Sequence, residues 1–186
     1  VCAMADEYES GDYKYEINPD GNTATITQYM AENEIVEIPA YIDNYKVTII
    51  GEGAFFGKLI TKVSVPDTVE KISSSAFRSC SMEDIQLPDS LKIIEDNAFE
   101  QCVYLKKIYI PSGVEEIRSE AFYHCESLNE IYISSGVKEI GSYAFCGCGN
   151  INSIVVDEAN TYFDSREECN ALIETSSNSI LRGCIN

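Results

Sequence analysis

The stretch Leu105-Lys106-Lys107-Ile108-Tyr109-Ile110-Pro111-Ser112-Gly113-Val114-Glu115-Glu116-Ile117-Arg118-Ser119-Glu120-Ala121-Phe122-Tyr123-His124-Cys125 carries, in one copy, the pattern that decides how this chain folds. Ile108 and Ile110 alternate with Lys107 and Tyr109, the period-two signature of a half-buried strand. Pro111, with its fixed φ and missing N–H, stops the ladder and starts a turn. Apolar residues then return at wider spacing, Val114 and Ile117, and lead into Ala121-Phe122 and Cys125. Ala-Phe recurs at Ala54-Phe55, Ala76-Phe77, Ala98-Phe99, Ala121-Phe122 and Ala144-Phe145, at intervals of 22, 22, 23 and 23 residues. Cys80, Cys102, Cys125 and Cys148 come after four of these copies, and Lys58 holds the place in the first. A fixed period of this size specifies a repeat solenoid.

Outward from that unit, the strand pairs Val36/Ile38, Val63/Val65, Ile85/Leu87, Ile108/Ile110, Ile131/Ile133 and Ile154/Val156 predict six strands stacked side by side. Proline comes directly after four of them, at Pro39, Pro66, Pro88 and Pro111, and Ser134 and Asp157 replace it later. Val69/Ile72, Leu91/Ile94, Val114/Ile117 and Val137/Ile140 mark the return side of each coil. One coil buries too little to offset the entropy of ordering it, so neighbours must cover each other and the ends need caps. Tyr13 to Tyr29 alternates around Asn18-Pro19-Asp20-Gly21-Asn22 and predicts an N-terminal capping hairpin. A second hairpin is expected at residues 170–174 and 179–182 around Thr175-Ser176-Ser177-Asn178. The expected division is a tail over 1–12, an N-terminal cap over 13–34, repeats over 35–156 and a C-terminal cap over 157–186. Cys169 and Cys184 lie symmetrically about the second turn, and a disulfide there requires Cβ atoms about 3.8 Å apart.

The formal charge of −18 is unevenly spread. Residues 1–37 hold nine acids against Lys14, residues 38–156 sixteen against ten bases, and residues 157–186 six against two. Such a field repels phosphate backbones and anionic headgroups, which argues against nucleic acid and direct membrane docking as partners. Its plainer reading is solubility outside the cell. No run approaches the roughly 20 apolar residues of a membrane span. Val1-Cys2-Ala3-Met4-Ala5-Asp6-Glu7 reads as the tail of a secretory signal, with a lipid anchor on Cys2 as the sharper alternative. Both readings place the chain outside the cytoplasm. The absence of an Asn-x-Ser/Thr sequon fits a bacterial surface better than a eukaryotic secretory route.

The pattern Leu-x-x-Ile-x-Ile-Pro-x-x-Val-x-x-Ile-x-x-x-Ala-Phe-x-x-Cys, over residues 35–156, resembles the BspA-type leucine-rich repeats of surface proteins from gut and oral anaerobes and some protists. The run from Tyr162 to Thr175 is similar to the C-terminal cap of that family's Bacteroides-like members. The resemblance implies a right-handed, mainly β solenoid with 22–23-residue coils, a parallel concave sheet and hairpin caps. It also implies adhesion to host proteins or contacts between cells, although many members have no assigned role. The chain departs from the pattern in lacking the first cysteine, in two units shorter by one residue, and in losing proline after its last two strands.

Strand residues pointing away from the core form a row, Glu37, Ser64, Gln86, Tyr109, Tyr132 and Val155, beside a second row, Lys62, Asp84, Lys107, Glu130 and Ser153. Adjacent strands lie about 4.8 Å apart, so Tyr109 and Tyr132 are expected to be neighbours. Tyrosine offers large apolar area with a polar tip, which makes Tyr109 and Tyr132, flanked by Gln86, Lys107 and Glu130, the candidate ligand-binding residues. Cross-strand pairing that merely stabilises the sheet is the plainer reading.

No catalytic or metal site and no cofactor is expected. The ladder cysteines are spread along an axis, whereas zinc needs ligands converging on one point, so they read as small buried hydrophobes. Cys146-Gly147-Cys148 lacks the two-residue spacer of a zinc or redox pair, and Cys146 reads as a surface thiol. His124 and Cys125, adjacent in an extended segment, point opposite ways and make a poor base and nucleophile. Gly51, Gly53, Gly57 and Lys58 miss the phosphate-loop spacing by one residue and lack its Ser/Thr. The expectation is therefore a non-catalytic, monomeric module, secreted or on a bacterial surface, that recognises a protein or glycan of a host or neighbouring cell. A structural spacer or assembly element without its own ligand is the alternative.

Overall fold

A computed structural model describes residues 6–165 and 171–183. Cys2, Cys169 and Cys184 lie outside the described residues, and with them the lipid anchor and the disulfide. The chain opens with an antiparallel meander, β1 (Glu7–Ser10), β2 (Tyr13–Ile17) and β3 (Thr23–Tyr29). Its β2–β3 turn is tied by the Asp20 carboxylate, which accepts from the backbone N–H of Asn22 and Thr23 at 2.8 and 2.9 Å and from the Thr23 hydroxyl at 2.7 Å. Residues 7–10, assigned to the tail by sequence, thus add a third strand to the expected hairpin.

Next come β4 (Ile35–Glu37), β5 (Tyr41–Ile42) and β6 (Tyr45–Ile50). The tight β5–β6 hairpin turns at Asp43 and Asn44, whose φ of 45° and 73° are the positive values that a primed turn demands. Asp43 also receives the hydroxyls of Ser10 and Tyr15, which fastens the cap to this turn.

Each coil then contributes one concave strand and, in all but the last, one short return strand. They are β7 (Lys62–Ser64), β8 (Lys71–Ile72), β9 (Asp84–Gln86), β10 (Ile93–Ile94), β11 (Lys107–Ile110), β12 (Glu116–Ile117), β13 (Glu130–Ile133), β14 (Glu139–Ile140) and β15 (Ser153–Val156). The return strands pair in parallel, β6-β8-β10-β12-β14, and β3 joins them by parallel pairing with β6. The N-terminal cap therefore extends the return side, while the concave side begins with β4.

The concave strands form two three-stranded parallel ladders, β4-β7-β9 and β11-β13-β15, instead of one run of six. The division falls where coil length changes. One residue separates Cys80 from the buried Met82, but two separate Cys102 from the buried Leu105, as two separate Cys125 from Leu128. Lys106 N–H still reaches Glu83 O at 3.0 Å across the boundary. The strands stay adjacent there, but the regular ladder ends at β9 and restarts at β11.

At the coil's third side, Phe55, Phe77, Phe99 and Phe122 each donate a backbone N–H to the alanine carbonyl of the next coil at 2.8 Å. Alanine suits this position because Ala54, Ala76, Ala98 and Ala121 are buried where successive backbones approach. The phenylalanine rings stack into a spine, with centroid spacings of 5.0, 5.4, 5.1 and 5.2 Å from Phe55 to Phe145. Tyr29 continues it into the cap, 5.2 Å from Phe55. Gly136 marks a close approach between later coils, since an added Cβ would collide with the Ser112 carbonyl.

At the far end β16 (Phe163–Asp164), β17 (Ala171–Glu174) and β18 (Ser179–Gly183) form an antiparallel sheet, in which β17 and β18 are the expected second hairpin. Among the described residues no helix is long and apolar enough to cross a membrane.

Candidate functional site

The concave strands lay their outward residues in register. Tyr109 pairs with Tyr132, and Lys107 with Glu130. The two tyrosine rings are nearly parallel, 7° apart, with centroids 4.6 Å from each other. Tyr109 is 56% exposed. Tyr132 is held more firmly, because its hydroxyl donates to Asp157 Oδ2 at 3.2 Å. Burial, the hydrogen bond to Asp157 and that residue's charge all raise the Tyr132 pKa, so the hydroxyl stays a proton donor. The sequence reading missed Asp157 as an anchor. Its only signal was that an acid stands where earlier coils carry proline.

Lys107, Tyr109, Glu130 and Tyr132 line a groove of about 1000 Å³ on the concave face, together with Gln86 and the acids Asp67 and Asp89. All five candidate residues, Gln86, Lys107, Tyr109, Glu130 and Tyr132, are brought to it. Lys107 pairs with Asp84 at 3.8 Å in the preceding coil; among the described residues no ion pair joins it to Glu130. Both partners are well exposed, so the pair fixes little.

The other chemical candidates are engaged in structure. Cys80, Cys102, Cys125 and Cys148 are buried, and their thiols donate to the carbonyls of Phe55, Phe77, Phe99 and Phe122 at 3.0–3.2 Å. Each thiol thereby ties its coil to the one before. Burial pushes the Cys80 thiol up to about 12 and also raises Cys102; Cys125 is raised by its hydrogen bond with Cys148 and by burial. Near neutral pH the Cys80 thiol is therefore held in its protonated, unreactive form. Iodoacetamide applied to the native protein is expected to label Cys146, which is only partly buried, and to spare the four ladder cysteines. Peptide mapping reads this directly, and native labelling of Cys125 would show the stack to be open.

Lys58, where the first coil lacks cysteine, performs the same linking task. Its ammonium donates to Ala31 O at 3.1 Å and Glu32 Oε1 at 2.6 Å and lies 5.7 Å from the centre of the Tyr29 ring. The Gly51–Lys58 segment is thus committed to the cap, with Phe55 in the core. His124 is on the surface, against the edge of Tyr123 and 3.9 Å from Glu126, while Cys125 is buried. Among the described residues no three His, Cys, Asp or Glu side chains gather to hold a metal ion.

A family model described as the BspA type leucine rich repeat region matches residues 48–171 in six copies. The chain belongs to the BspA-type leucine-rich repeat family. No curated protein sequence matches it. Among solved structures it is similar to a leucine-rich repeat protein of T. pallidum, at 34% identity and a TM-score of 0.76, over 80% of this chain and 71% of that one. A Bacteroides ovatus leucine-rich repeat protein matches at 34% identity and a TM-score of 0.71, over 81% of this chain and 40% of its own length. A leucine-rich cell surface protein of Faecalibacterium prausnitzii, 23% identical with a TM-score of 0.54, shares the fold over 98% of this chain and 62% of that one. This BspA-type chain spans less than two thirds of the latter two proteins.

Proposed function

We propose that this chain is a non-catalytic binding and adhesion module, secreted or held on a bacterial surface, that recognises a protein or cell-surface polymer through its concave sheet. The observation that carries the reading is the Tyr109–Tyr132 stack, which leaves one ring more than half exposed inside a groove. An exposed aromatic pair costs solvation that a solvated sheet face would not need, and aromatic anchors in concave sites are where binding energy concentrates. Family membership and the surface description of the Faecalibacterium protein support an extracellular setting.

The test uses biotinylated matrix proteins, mucin and neutral glycans immobilised on beads, probed with the chain and with Tyr109→Ala. Capture of at least one class is expected, with a loss of about tenfold in Tyr109→Ala, in keeping with removal of an interface anchor. Thermal melting of the variant should change little, since Tyr109 is a surface residue. Capture that is indifferent to the substitution, or no capture by the parent chain, would instead favour the spacer reading.

A further inference from the structure

The groove is not symmetric about its aromatic pair. One face of Tyr109 is covered by Tyr132. Gln86 and Ser64, paired with each other on β9 and β7, line the same groove with smaller side chains. The groove is also lined by Asp84 and by Asp67 and Asp89, which stand just after Pro66 and Pro88. With Glu130, the groove holds four carboxylates against the single ammonium of Lys107, which is already beside Asp84. An exposed aromatic face in a groove with more carboxylates than ammonium groups attracts a cation. Guanidinium suits it better than ammonium, because a planar, weakly hydrated ion can stack on the ring while its edge N–H groups bond to oxygens.

We propose that the groove takes an extended, arginine-bearing segment of another protein, with a guanidinium on the exposed face of Tyr109 and the carboxylates that line the groove, Asp67, Asp84, Asp89 and Glu130, favouring its charge. This rests on the concave-face reading above and gives it a ligand class. The chain's net charge of −18 adds long-range attraction for such a segment and repels sulfated or sialylated polymers. A neutral glycan stacked on the same ring would ignore those carboxylates.

The experiment is fluorescence anisotropy with a labelled peptide of alternating glycine and arginine, compared with the same peptide carrying citrulline, which keeps the shape and removes the charge. Binding of the arginine peptide should be stronger by about tenfold or more, and should weaken as salt is raised. Tyr109→Ala should weaken it about tenfold, and Asp67→Asn/Asp89→Asn about fivefold. Both aspartates are exposed, so this double variant is expected to fold. Glu52→Gln/Glu126→Gln removes the same charge from exposed turns outside the groove and should weaken binding less than twofold. Equal affinity for the citrulline peptide, or equal losses in the two double variants, would overturn the proposal. If the arginine peptide fails to bind while Tyr109-dependent capture of a glycan or matrix protein persists, the ligand class falls and the concave-face reading stands; if that capture is absent too, both fall.

Discussion

Phe99→Ala is expected to lower stability by about 3–5 kcal/mol, the usual cost of truncating a buried phenylalanine, and the melting temperature by roughly 10 °C. Phe99 is fully buried in the middle of the spine, 5.4 Å from the ring of Phe77 and 5.1 Å from that of Phe122. Truncation removes two stacked contacts and leaves a cavity between coils that hydrogen-bonded alanines and phenylalanines prevent from closing. In a solenoid each coil is stabilised by its neighbours, so a gap at the centre uncouples the two halves. Urea unfolding of this variant should broaden or split into two steps. Phe145, at the end of the spine, stacks on Phe122 alone among the described rings. Phe145→Ala should therefore cost less and leave a single transition. Equal losses at the two positions would show that the rings contribute only by burial, without propagating order along the axis.

The spine and the strands were legible because inward residues repeat within each coil, and periodicity needs no knowledge of the partner. Tyr109 and Tyr132 were legible for the same reason, as outward positions of adjacent copies. What the repeat could not show is where it changes. The concave ladder breaks at the coil that gains a residue between Cys102 and Leu105, a length variation that residue counting alone reads as harmless. Parallel pairing of β3 with β6 is a non-local choice that alternation within Thr23–Tyr29 leaves open.

Conformation in the Ala-Phe turns was hidden differently. Ser75, Asn97, Glu120 and Tyr143, each just before the alanine, have φ between 56° and 59°, where Gly53 stands in the first coil. The first coil meets the left-handed requirement with glycine, and the later coils force other residues into it through stacking hydrogen bonds. A search for glycine finds this turn once and misses its repetition.

Asn160→Ala should have the second large effect and should reach the groove as well as the fold. Asn160 is buried and uses its whole amide. Its Nδ2 donates to Ser134 O at 2.9 Å and Val137 O at 3.0 Å, while its Oδ1 accepts from the N–H groups of Tyr162 and Phe163 at 2.8 and 2.9 Å. Two donors and two acceptors satisfy four backbone groups where the last coil meets the cap. Alanine would orphan these groups at about 1 kcal/mol or more each, for a total of about 3 kcal/mol after local relaxation. The same turn carries Asp157, whose carbonyl receives the Asn160 N–H at 2.9 Å and whose carboxylate holds Tyr132. Loosening the cap therefore frees the half-buried ring of the aromatic pair. Hydrogen exchange should quicken first over residues 133–163, with protection near Phe55 retained, and any Tyr109-dependent ligand should bind more weakly. Tyr132→Phe separates the effects, because it removes the hydroxyl tether and leaves Asn160 in place. If it weakens binding without changing exchange at the cap, the Asp157 bond positions the ring; if it does neither, Asn160 acts on stability alone.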